Sequence, residues 1–140
     1  MKNIPLFHLA FPVKNLEITK EFYTKILGCK IGRTNSNWID FNFFGHQITA
    51  HLSSNKFYFE KNNKVDGKSV PIRHFGLVLD WEDWHKLKKK LILKKVDFLI
   101  SPYIRFKGKI GEQATLFFLD PSSNAIELKS FRNKDRLFAK

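Results

Sequence analysis

Two of the five histidines in this 140-residue chain, His8 and His74, open segments of the same pattern 66 residues apart. The first runs Leu6-Phe7-His8-Leu9-Ala10-Phe11-Pro12-Val13, the second Arg73-His74-Phe75-Gly76-Leu77-Val78-Leu79. Phe7, Leu9, Phe11 and Val13 share one parity, as do Phe75, Leu77 and Leu79, and each histidine takes the other. A strand with one buried face sends alternate side chains to the core, so both histidines point away from it. Imidazole is the commonest protein ligand for borderline divalent metals. Two at matching points of a repeat therefore imply a shared site.

The closing segment of each half adds a donor. In Ile48-Thr49-Ala50-His51-Leu52 the apolar parity holds Ile48, Ala50 and Leu52, which puts His51 on the polar side with Gln47 and Thr49. In Ala125-Ile126-Glu127-Leu128, Glu127 faces away from Ile126 and Leu128. Each half thus offers a histidine on its first strand and a ligand-type residue on its last. Three imidazoles and one carboxylate suit Zn, Fe(II), Ni, Co or Mn alike. His46 competes with His51 but falls in a turn, and His85 falls mid-helix as a surface residue.

The elements that must position these groups repeat in the order β-α-β-β-β. After the first strand, Asn15 caps a helix with an apolar stripe of Ile18, Phe22, Ile26 and Leu27, and Gly28 stops it. Strands are expected around 29–33, 38–44 and 46–52, the last two joined by a turn at Gly45-His46. Residues 53–71 read as a polar, lysine-rich connection in which Phe57, Tyr58 and Phe59 pack down. The second half has a strand at 73–79, an Asp80 cap and a helix over 81–94. A strand near 97–100, an excursion from Pro102 to Gly111, and strands at 113–119 and 125–131 complete it. The fold class is α+β, a single domain with modules at about 1–66 and 67–140. Each helix covers the apolar outer side of its sheet and leaves the other side for a concave site.

Composition narrows the function classes. The single cysteine, Cys29, excludes an internal disulfide framework and fits a reducing cytoplasm. No apolar run approaches the length of a membrane span. The net charge of +12 comes from twenty lysines and five arginines spread along the whole chain. With no nucleic-acid motif beside it, this charge argues for drawing in an anionic small molecule rather than for nucleic-acid binding.

Beyond these readings, the chain resembles the vicinal oxygen chelate superfamily, which includes glyoxalase I, methylmalonyl-CoA epimerase, extradiol dioxygenases and the fosfomycin and bleomycin resistance proteins. The resemblance covers nearly the whole chain. It is carried by the repeated element order, the opening Phe7-His8-Leu9-Ala10-Phe11-Pro12-Val13 and the helix end Phe22-Tyr23-Thr24-Lys25-Ile26-Leu27-Gly28. The closing Phe117-Phe118-Leu119-Asp120-Pro121-Ser122-Ser123-Asn124-Ala125-Ile126-Glu127-Leu128 completes it. Ser123 stands where the family usually has glycine.

The resemblance implies a cup-shaped mixed sheet with helices outside, often in a homodimer. It also implies a divalent metal held by His8, His51, His74 and Glu127. Such an ion acts as a Lewis acid on a substrate with neighbouring oxygens. Extradiol dioxygenases use two histidines and a glutamate, at the positions of His8, His74 and Glu127. His51 is therefore the deciding residue: a ligand favours lyase, isomerase or epimerase chemistry, whereas a free imidazole there is a candidate base beside an oxygenase-like triad. Glyoxalase and epimerase enzymes commonly carry glutamate at that position.

Trp38 and Asp40 share a parity on the strand beside His51 and are expected to line the substrate site. Arg105 and Gln113 flank the lengthened second-half loop, where an arginine could clamp a carboxylate or phosphate. A metal-free binding protein that sequesters a small molecule, as resistance proteins do, is the alternative from another class.

Overall fold

The computed structural model describes residues 4–55 and 62–139. The chain divides into two compact units: unit 1 is Met1–Phe57 with Asp120–Ser122, and unit 2 is Tyr58–Leu119 with Ser123–Lys140. Among the described residues no helix is long and apolar enough to cross a membrane.

Unit 1 contains β1 (His8–Val13), β2 (Lys30–Thr34), β3 (Trp38–Phe43) and β4 (His46–Leu52), ordered β1-β4-β3-β2 in one sheet. Unit 2 repeats this with β7 (His74–Leu79), β8 (Phe98–Arg105), β9 (Gln113–Leu119) and β10 (Ala125–Phe131), ordered β7-β10-β9-β8. The first strand of each unit pairs in parallel with the last, and the remaining pairs are antiparallel. Helix α1 (Leu16–Glu21) follows β1 and α2 (Trp81–Leu93) follows β7. The α+β architecture with a repeated β-α-β-β-β order is therefore the one the chain adopts.

Alternation sets the cores. In unit 1, Phe11 and Val13 of β1 and Ile48 and Ala50 of β4 are buried, while His8 is exposed. In unit 2, Trp84, Leu87 and Leu91 of α2 meet the sheet face that carries Leu116, Phe118, Ile126 and Leu128, and Trp84 Nε1 donates to the Leu128 carbonyl at 2.8 Å. Phe118, Ile126 and Leu128 are fully buried, and each contributes about 1.5–3 kcal/mol.

Four local expectations are corrected. Of the expected stripe on the first helix Leu27 is buried, together with Thr19 and Tyr23, whereas Phe22 and Ile26 are half-buried and Ile18 is 46% exposed. The reason is that α1 continues as a π-helix over Phe22–Leu27. Four residues overshoot one turn of an α-helix and fall short of one turn of the wider π-helix, so positions 19, 23 and 27 return to one face. The β3–β4 turn is Phe44-Gly45, both at positive φ as a two-residue hairpin requires, so His46 already belongs to β4.

The connection between the repeats is not wholly irregular, since β5 (Asn63–Val65) and β6 (Lys68–Val70) form a hairpin there. Phe57, Tyr58 and Phe59 lie outside the described residues. Finally, β8 runs on through Pro102 to Arg105, because the pairing with β9 shifts between Ile100 and Tyr103 and leaves the proline out of the ladder.

The caps mostly agree with expectation. Asn15 Oδ1 accepts from the Ile18 amide at 3.0 Å, and Gly28 ends the helix at φ 84°. Asp80 precedes α2 without a side-chain capping bond, its carboxylate pairing with Lys134 instead. Ser123 takes the left-handed conformation at φ 67°, the geometry for which glycine is the usual residue.

Candidate functional site

Cross-strand register decides which side chains share a row on each polar sheet face. In unit 2, β10 places Ala125 beside His74, Glu127 beside Gly76 and Lys129 beside Val78. On its other side Glu127 faces Phe117 and Lys129 faces Thr115. Gly76 has a specific reason to be glycine. A Cβ there would lie 1.6 Å from the Glu127 carbonyl oxygen, so the β7 backbone reaches β10 only without a side chain.

This close approach brings His74 Nε2 to 3.2 Å from Glu127 Oε2. His74 Nδ1 lies 2.6 Å from the Pro71 carbonyl and donates to it, and the ring stands edge-on to Phe117 with centroids 5.1 Å apart. With Nδ1 committed as donor, Nε2 is left to face the carboxylate. Glu127 is 9% exposed, and its Oε1 accepts from Thr115 Oγ1 at 2.8 Å while Oε2 also receives Lys129 Nζ at 3.2 Å. Burial alone would raise the Glu127 pKa, but hydrogen bonds from His74 and Thr115, with the Lys129 charge, hold it below the ordinary carboxylate value. The hydrogen bond to Glu127 in turn raises His74 above the ordinary imidazole value, against the opposing effect of burial.

Unit 1 repeats the frame with different groups. Along β1 and β4, His8 stands beside Gln47, Ala10 beside Thr49 and Pro12 beside His51. The position equivalent to Glu127 is thus Thr49, and His51 corresponds to Lys129. His8 and His51 are four residues apart in register, roughly 13 Å along the strands, and are not brought to one level. His51 is exposed and sits opposite Trp38, whose ring lies under the Arg33 guanidinium at 5.7 Å.

Asp40 is 5% exposed. Its Oδ1 accepts from Thr49 Oγ1 at 2.6 Å, and Oδ2 from Gln47 Nε2 at 3.2 Å and Arg33 Nε at 3.3 Å. A cavity of about 410 Å³ opens on this face, lined by His8, Arg33, Asp40, Asn42, His46 and Gln47 among others.

Arg105 and Gln113 are brought together, with Nη1 donating to Gln113 Oε1 at 3.3 Å. The guanidinium is not open to an anion, however. Nε pairs with Asp66 Oδ2 and Nη2 donates to Asp66 Oδ1 at 3.2 Å. Asp66 lies in the β5–β6 turn and is held below the ordinary carboxylate range, first by the Arg105 hydrogen bond. Arg105 thus tethers the hairpin to β8. Sequence reasoning missed Arg33, Thr49, Thr115 and Lys129. Lys129 carried a readable signal, since it shares the parity of Glu127 two residues on.

As donors for a divalent ion, His74 and Glu127 fit in chemistry and orientation. Nε2 faces the carboxylate, the other ring nitrogen is anchored on a carbonyl and Oε1 is anchored on a hydroxyl. No three His, Cys, Asp or Glu side chains among the described residues form a cluster that could hold an ion.

Known proteins share this frame. The profile of the Glyoxalase/Bleomycin resistance protein/Dioxygenase superfamily matches residues 6–128. A glyoxalase/bleomycin resistance protein/dioxygenase from Alicyclobacillus acidocaldarius is 32% identical, with a TM-score of 0.81 over 99% of this chain and 100% of that one. An integron cassette protein from the mobile metagenome of V. cholerae is 26% identical, with a TM-score of 0.60 over 93% of this chain and 97% of that one. A genomically encoded fosfomycin resistance protein from Listeria monocytogenes shares the fold at 18% identity, with a TM-score of 0.69 over 96% and 99% of the two chains. No curated protein matches the sequence.

Proposed function

Because the chain belongs to the Glyoxalase/Bleomycin resistance protein/Dioxygenase superfamily, we propose that it is a metal-dependent enzyme of the vicinal oxygen chelate type. The substrate so read is a small oxygenated, anionic metabolite, and the compartment is the cytoplasm. The observation that carries the reading is the His74–Glu127 pair, 3.2 Å apart, with each member fixed from behind by Pro71 or Thr115.

His74 and Glu127 supply two donors from unit 2, and His8, at the register-equivalent position of unit 1, is the third that the resemblance provides. A divalent ion held by these residues supplies Lewis-acid polarisation to neighbouring oxygens of a substrate. Thr115 keeps Glu127 oriented, Pro71 keeps the His74 ring turned, and Phe117 closes one side of the imidazole against water. Occupation of the Glu127-equivalent position by Thr49, which donates to Asp40, favours a three-donor set over one that includes His51. That favours the oxygenase-like arrangement, with His51 free to serve as a base, over the four-ligand isomerase-like one.

Elemental analysis of protein reconstituted with divalent ions tests both points. About one ion per chain is expected in the wild type and in His51→Ala, and a loss of it in His74→Ala. Loss in both variants would restore the four-donor set. No uptake by the wild type would leave the metal-free binding protein.

A further inference from the structure

Unit 2 holds a cavity of about 320 Å³ whose described lining includes neither His74 nor Glu127. Its walls include Pro71, Ile72, Leu99, Leu119 and Ala125, with Arg73 as its cation. Three of the large apolar side chains are open to solvent: Ile72 is 48% exposed, Leu99 45% and Leu119 39%. Single exposed apolar residues are ordinary, but three lining one hollow are the mark of a ligand pocket. Register sets the cavity beside the reactive pair, since Leu119 lies opposite Ala125 and Ala125 lies next to His74. The segment 71–73 serves both, because the Pro71 carbonyl also accepts from His74 Nδ1.

Arg73 decides the charge of the occupant. Arg33 pairs with Asp40, Arg105 pairs with Asp66, and Arg132 lies over the Trp81 ring. Arg73 is exposed and makes no hydrogen bond, ion pair or ring contact with a described residue. No acidic side chain is among the described residues that line the cavity. We propose that the cavity binds a small carboxylate with an apolar body, the body against Ile72, Leu99 and Leu119 and the carboxylate on Arg73. A planar guanidinium suits a carboxylate, which it can meet with two parallel N–H bonds. An apolar cavity of about 150 Å³ accepts a benzene ring, so this one has room for a ring and a short chain. The ligand class is therefore a carboxylate whose apolar body is about the size of a phenylethyl group. That such a molecule is the substrate rests on the metal-dependent reading of His74 and Glu127, whereas its binding needs no ion.

The test uses the full chain freed of divalent ions. It is titrated with 3-phenylpropanoate, 3-phenylpropan-1-ol and acetate, and binding is read from backbone amide shifts in heteronuclear NMR spectra. 3-Phenylpropanoate is expected to saturate and to shift the amides of Ile72, Arg73, Leu99, Leu119 and Ala125 above all others. The alcohol keeps the ring and loses the charge. It should bind at the same amides about 5- to 20-fold more weakly, the range for an ion pair at a partly screened site. Acetate, with the charge and no ring, should not saturate at concentrations where 3-phenylpropanoate does. Arg73→Met should bring the acid down to the level of the alcohol. Shifts centred elsewhere, an acid preference that survives in Arg73→Met, or acetate binding as tightly as 3-phenylpropanoate would each overturn the site. Because no ion is present, absence of saturable binding overturns the cavity assignment and says nothing against the metal centre.

Discussion

In unit 1 the buried carboxylate, Asp40, stands on β3 and the threonine that holds it on β4. In unit 2 the carboxylate, Glu127, stands on β10 and the threonine, Thr115, on β9. Both carboxylates give one oxygen to a threonine hydroxyl and the other to two further donors. In unit 1 these are Arg33 and Gln47, neither of which yields its proton at ordinary pH. In unit 2 they are Lys129 and His74, and the imidazole can both yield a proton and, once neutral, ligate a borderline divalent ion. The same sheet frame thus carries a closed polar cluster in one unit and a reactive one in the other. The difference lies in which strand bears the acid and whether a histidine reaches it.

The contrast breaks most readily at Gly76. Unit 1 has Ala10 at the equivalent place, but a Cβ at Gly76 would meet the Glu127 carbonyl. Gly76→Ala is expected to cost about 3 kcal/mol or more and to lose ion uptake, whereas Ala10→Gly should cost about 1 kcal/mol. Urea denaturation with metal analysis reads both, and equal costs would show that the two units tolerate the same spacing.

Asp40→Ala sharpens the same contrast. It leaves the Thr49 hydroxyl and the Gln47 amide without their acceptor, at about 1–3 kcal/mol, and ion uptake should persist. Loss of the ion in that variant would make the unit 1 cluster part of the centre.

A smaller effect separates the units by pH in the metal-free protein. His74 has its pKa raised by folding, so its contribution is full below about 6.5 and is lost as pH climbs through the higher folded value. Glu127 has its pKa lowered, so its contribution is present above about 4.5 and is lost as pH falls through the lower folded value. Thermal melts should therefore show His74→Gln destabilised most between those two values and progressively less above them. A pH-independent difference for His74→Gln would remove the ion pair from the account.

The sequence made some of this legible and not the rest, for physical reasons. Alternation in the strands of His8 and His74 fixes which face each residue takes, and the register confirms those faces. Alternation is blind to rows, however. Whether Thr49 or His51 takes the place in unit 1 that Glu127 takes in unit 2 depends on how β1 pairs with β4, and parallel pairing between strands more than thirty residues apart has no local signature. The first helix misleads because the π-helical segment re-phases the stripe so that Tyr23, rather than Phe22 or Ile26, lies fully buried beside Leu27. Arg105 is legible as a cation near the site, but its partner Asp66 comes from a hairpin hidden in a polar connection. Pro102 reads as a loop residue, yet it lies within β8 where the ladder is interrupted.

Residues 120–122, which belong to unit 1 although they lie between two strands of unit 2, bear on how the protein is made. Ser122 Oγ accepts from the Lys14 amide at 2.9 Å, and Asp120 Oδ2 accepts from the fully buried Tyr23 hydroxyl at 3.1 Å. On the ribosome, the amino-terminal half emerges long before that acceptor is synthesised. Its final packing around Tyr23 must wait until residues 120–122 have been made, so cutting the gene between the repeats would separate a phenol from the carboxylate that completes its burial.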